Sequence, residues 1–234
     1  MWSGPRNIST AMMRAWENRS DCVVIDEPFY PHYLEHTGID HPMAADIVAH
    51  YPTDLASALK RVSTVPESGL VYQKQITTHM LDHVPLDWIA HVANLFLIRH
   101  PAFMVASYSA KRASLTPDDL GYPSLEHIFE KARSISETQP LVIDSTQFLN
   151  KPGSYLQYIC SHLGVEFDES MLSWPPGERD SDGIWHAHWY ESVKRSSGFG
   201  KARSAMPELT HDQQAVANAC MPHYTALNKH ALVL

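Results

Sequence analysis

Four short apolar runs, each ending on polar residues, constrain the fold of this chain most. Cys22-Val23-Val24-Ile25 leads into Asp26 and Glu27, and Leu70-Val71-Tyr72-Gln73 into Lys74. Asn94-Leu95-Phe96-Leu97-Ile98 leads into Arg99, and Leu141-Val142-Ile143 into Asp144 and Ser145. Apolar runs this short, bounded by polar and turn-forming residues, read as buried strands. Between them lie segments with helical spacing. They cover Ser9 to about Asn18, Thr53 to Lys60, Pro85 to Val92 and Pro101 to about Arg112, then Ser124 to Ser136, Lys151 to Leu163 and Thr210 to Leu232. Gly164 is a stop signal for the sixth, and Met221-Pro222 marks a kink in the last. Strand–helix alternation predicts a three-layer α/β/α fold with a mostly parallel sheet. With 234 residues, a single domain over 1–234 is expected. Ligands of such sheets sit beyond the carboxyl ends of the strands, where the polar residues just named would gather.

The start of the chain, Ser3-Gly4-Pro5-Arg6-Asn7-Ile8-Ser9-Thr10, feeds the first helix. A turn entering a helix N-terminus presents unpaired backbone N–H groups to one spot, and with the helix dipole these attract an anion. Arg6 adds a cation; Ser9 and Thr10 add hydroxyl donors. The plainer alternative is a capped helix with Asn7 or Ser9 as the N-cap. The Gly-Lys-Ser/Thr ending of a Walker A loop is absent. A parallel sheet wants a strand before Gly4, yet only Met1 and Trp2 precede Ser3, so that strand is very short or the chain starts late.

Two further anion signals lie downstream. Arg99 ends a strand, and Ser107 stands two turns into the following helix, whose side chains lean back toward its N-terminus. Together they could grip one phosphate. Lys194-Arg195-Ser196-Ser197-Gly198-Phe199-Gly200 sets cations beside small residues that can wrap a phosphate with N–H groups; the alternative is a solvated loop. The net charge of −8 argues against broad binding to nucleic acid or an anionic membrane, so any anionic ligand needs a local cationic pocket. Cys22, Cys160 and Cys220 lack metal-ligand spacing and suit reduced thiols. No run is long enough to span a membrane and no signal-peptide pattern is present, so a cytoplasmic protein is expected.

Together these residues resemble the sulfotransferases that use 3′-phosphoadenosine-5′-phosphosulfate (PAPS), in the bacterial small-molecule branch. The stretch Pro5-Arg6-Asn7-Ile8-Ser9-Thr10 is similar to their phosphosulfate loop, with Ile8 where a Gly is common. Arg99 and Ser107 have the spacing of their 3′-phosphate pair. Lys194 and Arg195 with Ser197 and Gly198 resemble their basic C-terminal loop. Leu163-Gly164 before Phe167-Asp168 resembles their late helix and its acidic step. The resemblance implies a P-loop NTPase-like fold, PAPS as co-substrate, a small-molecule acceptor and no metal. It implies donor contacts from Gly4, Pro5, Arg6, Asn7, Ile8, Ser9, Thr10, Arg99, Ser107, Lys194, Arg195, Ser197 and Gly198.

Sulfuryl transfer is an in-line displacement, so the acceptor must lose a proton to a nearby base. Glu27, just past a strand end, is the first expectation, with Asp26 orienting a neighbour; a structural carboxylate is its alternative. His79, shortly after Lys74, is the second. Arg6 would stabilise charge on the bridging oxygen, assisted by Lys74. The acceptor's determinants are expected in the Pro28–Pro66 excursion and in Pro117–Pro123. His186-Ala187-His188 would share a face in a strand, but no further ligand completes a metal set. Aromatic packing among Trp185, Trp189 and Tyr190 is the better reading, with lining of the acceptor or adenine pocket as its alternative. Two other functions stand beside the transferase: a P-loop nucleotide kinase or NTPase, which needs a loop lysine, and a non-catalytic nucleotide-binding relative.

Overall fold

The computed structural model describes residues 1–64, 69–112, 114–203 and 205–234. Its strands are β1 (Trp2–Ser3), β2 (Cys22–Asp26), β3 (Leu70–Ile76), β4 (Leu95–Ile98) and β5 (Leu141–Asp144). They form one sheet in the order β2-β3-β1-β4-β5, and every neighbouring pair is parallel. The helices are α1 (Ser9–Glu17), α2 (Tyr30–Thr37), α3 (Ala44–His50), α4 (Leu55–Ser63), α5 (Pro101–Ser109), α6 (Tyr122–Ile135), α7 (Ser145–Asn150), α8 (Pro152–His162), α9 (His186–Trp189), α10 (Glu191–Lys194) and α11 (His211–Asn228).

The alternation of side chains along a strand makes the three layers. On β4, Leu95 and Leu97 face a core shared with Met12, Met13 and Trp16 of α1 and Leu156 and Ile159 of α8. Phe96 and Ile98 face the opposite core, with Leu125, Ile128 and Phe129 of α6 and Leu227 of α11. On β5, Ile143 and Val142 divide in the same way. This explains why these strands read as unbroken apolar runs: both faces are covered.

The two-residue β1 is the middle strand. Trp2 stands opposite Gln75 and Phe96, and Ser3 opposite Ile76 and Leu97. Trp2 is 1% exposed, stacks on Phe96 and packs against Trp88. Its indole Nε1 donates to Asn94 Oδ1 at 2.9 Å, while the Asn94 amide serves Ile89 O, Val92 O and Ser136 Oγ. Neighbouring strands and one buried amide thus hold the short strand. A slot of about 250 Å³, lined by Met1, Trp16, Leu70, Tyr72, Leu95 and Leu141 among others, continues the line of β1 at the amino end of the sheet.

Several elements differ from expectation. β3 runs past Lys74 to Ile76, because pairing with both β1 and β2 carries it further than its apolar run. The Pro28–Pro66 excursion holds α2 and α3 as well as the expected helix, which is α4, N-capped by Asp54. Pro85–Val92 shortens to a 3₁₀ turn over Asp87–His91. His186-Ala187-His188 lies in α9 and not in a strand, so alternation does not pair the two histidines. α11 keeps Pro222 in its interior, as expected, but ends at Asn228, short of Leu232. Pro66 and Ser68, the end of the excursion and the start of the expected turn before β3, lie outside the described residues.

Asn94 is 4% exposed, and its replacement leaves the Trp2 indole and buried carbonyls without partners. Asn94→Ala should cost roughly 1–3 kcal/mol of unfolding free energy in a denaturant titration. A change near zero would show that β1 is held by its neighbouring strands alone.

Candidate active site

The loop after β1 turns on two residues. A Cβ on Gly4 would collide with the Leu120 carbonyl oxygen and lie 2.7 Å from Met104 Cε, so only glycine lets the loop pass under that segment. Arg6 takes the left-handed conformation, φ +58°. Ile8 has φ −77°, which any residue can adopt, so the absence of glycine there places no strain on the loop. Asn7 does not cap α1 through its own carboxamide at the N-cap position. Ile8 occupies that position, Asn7 Oδ1 accepts the Ile8 N–H at 2.9 Å, and Asn7 Nδ2 donates to Leu97 O at 2.9 Å. The loop is thereby tied to the end of β4. The first amide of the helical ladder is Met12 N–H, bonded to Ile8 O. Among the described residues, the N–H groups of Ser9, Thr10 and Ala11 carry no partner, and these residues line the adjoining cavity.

That cavity, about 410 Å³, opens over the carboxyl ends of the strands. Arg6 Nε donates to Ser107 Oγ at 3.4 Å, and Arg99 donates to the Arg6 carbonyl at 2.8 Å. Phosphosulfate-loop and Arg–Ser candidates therefore meet in one wall. Burial lowers the pKa of Arg99 from its ordinary value, and the neighbouring Arg203 and Arg6 cations add to this. Burial acts on Arg6 in the same direction. Half-buried guanidiniums this close together favour an anion beside them.

The opposite wall is a buried network. Lys74, 1% exposed, donates to Asp26 Oδ1 at 3.0 Å, to Glu27 Oε1 at 2.5 Å and to the Tyr190 hydroxyl. Tyr190 in turn donates to Asp26 at 2.7 Å, and Gly183 N–H donates to Asp26 Oδ2 at 3.2 Å. Burial disfavours the Lys74 ammonium, but the two carboxylates outweigh it and raise its pKa. Burial also raises Glu27, against the pull of Lys74. Glu27 Oε2 faces His79 Nδ1 at 3.8 Å, and that nitrogen is buried with no hydrogen-bond partner. The His79 ring stacks on Tyr30, centroids 4.4 Å apart, and burial holds it well below the usual imidazole range, so it is neutral.

Pro5, Arg6, Asn7, Ile8, Ser9, Thr10, Glu27, Lys74, His79, Arg99, Ser107 and Gly198 all line the cavity. Gly4 lies behind it. Lys194 and Arg195 do not reach it: Lys194 pairs with Glu178 at 2.8 Å and Arg195 with Glu191 at 3.0 Å, and Ser197 is exposed elsewhere. Lys201 and Arg203 line it instead. Both come after Gly198 and Gly200, on the far side of these glycines from Lys194 and Arg195. Trp189 and Tyr190 line the cavity, whereas Trp185 is buried behind and donates to the Tyr190 hydroxyl at 3.1 Å. From the expected acceptor segments, Tyr30, Tyr33, His41 and Asp119 reach the wall.

Residues 1–231 match the sulfotransferase domain family. The chain belongs to this family. Solved sulfotransferases share the fold: one from Alicyclobacillus acidocaldarius (TM-score 0.55, 12% identity, 99% of this chain and 95% of that one) and a mouse enzyme complexed with PAP (TM-score 0.50, 12% identity, 95% and 94%). An Arabidopsis thaliana protein named branched-chain-amino-acid aminotransferase-like protein 2 is 29% identical over 233 residues, 98% of this chain. The sulfotransferase chain spans only 41% of that relative's length.

Removing Lys74 leaves Asp26 and Glu27 as adjacent buried carboxylates without a cation. Lys74→Met should destabilise this sulfotransferase domain by about 3–5 kcal/mol near neutrality. Burial already raises the pKa of Glu27, and without the pull of Lys74 it would stand further above its unfolded value. The favourable contribution of its protonated form is therefore present at low pH and is lost as pH rises through the folded value. Urea titrations should show the gap to the parent narrowing on acidification from neutrality, and a pH-independent gap would count against the network as described.

Proposed function

We propose that this domain transfers a sulfuryl group from PAPS to a hydroxyl or amine of a small-molecule acceptor, without a metal in the chemical step. The observation that carries the reading is the cavity itself: a wall with the Arg6 and Arg99 cations and the Ser107 hydroxyl stands across from a carboxylate and a neutral imidazole. On a chain of net charge −8, that wall marks a place built for an anion. PAP in the structure of the mouse neighbour supports an adenosine 3′,5′-bisphosphate group as the common part of donor and product.

In this reading the 5′-phosphosulfate lies against the Ser9, Thr10 and Ala11 N–H groups, with Arg6 over the bridging oxygen. Arg99 and Ser107 take the 3′-phosphate, joined by Lys201 and Arg203. The acceptor enters past Tyr30, Tyr33 and His41. Its oxygen or nitrogen attacks sulfur, the bond from sulfur to the bridging oxygen breaks, and PAP leaves with the electron pair. The acceptor proton passes to Glu27, whose Oε2 is not held by Lys74. Burial raises the affinity of Glu27 for that proton, which suits a base at neutral pH. Lys74 holds Oε1 and fixes the carboxylate's orientation. His79, beside Oε2, is the second candidate, with Glu27 then orienting its ring. The loop carries no lysine of the kind a kinase reading requires. Three buried free thiols fit a cytoplasmic setting, and the described residues include no helix long and apolar enough to cross a membrane.

Glu27→Gln should lower turnover by about 10²–10⁴-fold while PAP affinity, read by calorimetry, stays within a factor of two. Near-parental turnover in that variant, with His79→Ala inactive, would move the base to His79.

Arg99→Ala should weaken PAP by more than it weakens adenosine 5′-phosphate, whose loop loses only the bond to the Arg6 carbonyl. Lys201→Ala and Arg203→Ala should weaken PAP as well, by about tenfold each, the scale of one charge-assisted contact. Lys194→Ala and Arg195→Ala should not. The reverse ordering of these two pairs would overturn the placement of the basic loop.

A further inference from the structure

Away from the cavity, three histidines converge on one point. His32 and His36 stand one turn apart on α2, and His83 lies in the turn closed by Val84 N–H to Leu81 O. Their nearest ring nitrogens all lie within 4.8 Å of one another. Ring centroids are 4.1 Å apart for His32–His36, 5.1 Å for His32–His83 and 4.9 Å for His36–His83. None of the three lines the candidate active site.

His32 is the fixed member, at 2% exposure. Its Nδ1 lies 2.8 Å from the Thr53 carbonyl oxygen, which can only accept, so Nδ1 carries the proton. Its Nε2 is therefore a lone pair, aimed at His83 Nε2 at 2.9 Å. A backbone carbonyl that sets the tautomer and orientation of one imidazole is the usual outer support of a metal-bound histidine. Burial also lowers the pKa of His32, which keeps it neutral and able to ligate. His36 and His83 are exposed and can turn toward a shared ion. Metal–nitrogen bonds of about 2.0–2.1 Å in tetrahedral geometry put ligand nitrogens roughly 3.3 Å apart, within reach of small rotations of those two rings.

We propose that His32, His36 and His83 form a binding site for a zinc-like divalent transition metal, with solvent in the fourth position. Three imidazoles select borderline ions such as Zn²⁺ or Co²⁺ over Mg²⁺ or Ca²⁺, which want oxygen ligands. The bound ion would tie α2 to the 81–84 turn. α2 supplies Tyr30 and Tyr33 to the cavity wall, and the segment just before the turn supplies His79, so the site braces the acceptor side without entering the chemistry.

The test is a calorimetric titration of the chelator-treated full chain with Zn²⁺, repeated with Co²⁺ and read by its visible absorption. The expected result is one equivalent per chain, a raised melting temperature, and no response to Mg²⁺. His83→Ala and His36→Ala, both surface changes compatible with folding, should each weaken Zn²⁺ at least tenfold. His211→Ala, on a fully exposed side chain, should bind as the parent does. Absence of stoichiometric binding, or parental Zn²⁺ affinity in the His83 and His36 variants, would overturn the proposal.

Discussion

One buried ammonium holds two elements of this fold in register with each other. Lys74 sits on β3 opposite Asp26 on β2, so the parallel pairing that builds the sheet also brings the charges together. Burying an ion is tolerable only where its partners are positioned in advance, and here the strand ladder does that positioning. Tyr190 and the Gly183 N–H complete the shell of Asp26, which fastens the 182–190 segment over the same point. Arg14 on α1 reinforces it by pairing with Asp182 at 2.6 Å. The network therefore sets both the edge of the sheet and the roof of the cavity.

The cationic wall is built on a different economy. β1 contributes two residues, so the loop after it cannot rely on a long strand for rigidity. It is held from outside: Asn7 by the end of β4, the Arg6 carbonyl by Arg99, and Gly4 by the close approach of Leu120. Arg99 serves two purposes at once, since its guanidinium both secures the loop's left-handed residue and adds charge to the wall. A side chain with several donors in a rigid fork can do this, whereas an ammonium at the same place could not reach both.

Much of this was legible because strand ends are chemically conspicuous. Apolar runs that stop on Asp26, Lys74, Arg99 and Asp144 announce a parallel sheet with a polar carboxyl edge, and the sheet is of that kind. What escaped was anything set by tertiary pairing. Lys194 and Arg195 look like a ligand-facing pair in sequence, yet Lys194, at the end of α10, pairs with Glu178, and Arg195, just past it, pairs back with Glu191. Lys201 and Arg203 have no local pattern to mark them and reach the cavity only through the path of the chain after Gly198. Tyr190 reads as one more aromatic in an aromatic stretch; its role appears only when β2 and β3 place two carboxylates beneath it. The α2 and α3 helices were hidden by their His, Tyr and Pro content, which suits a loop until a buried face gives them something to pack on. Asp144, by contrast, stands at the expected strand end but caps α7 through the Thr146 and Gln147 N–H groups, so a polar strand end is not by itself a ligand contact.

Glu27 is where the two halves of the cavity meet. It carries φ +37°, a conformation that costs an ordinary residue about 1 kcal/mol or more. Its N–H bonds to Lys74 O and its carbonyl accepts Tyr30 N–H, so the strained turn is held between β3 and the start of α2. A β2 that simply continued would carry the next side chain along the sheet edge. The left-handed turn instead directs the chain into α2 while leaving the carboxylate over Lys74 and against His79. The same turn stacks Tyr30 on His79 and delivers the aromatic wall expected to meet an acceptor. The cationic wall is thus made rigid by the ends of the central strands, and the aromatic wall is shaped by an insertion anchored at a single backbone position. On this architecture the insertion can change in sequence, and with it the shape of the aromatic wall, while Glu27, Lys74 and the cationic wall stay in place.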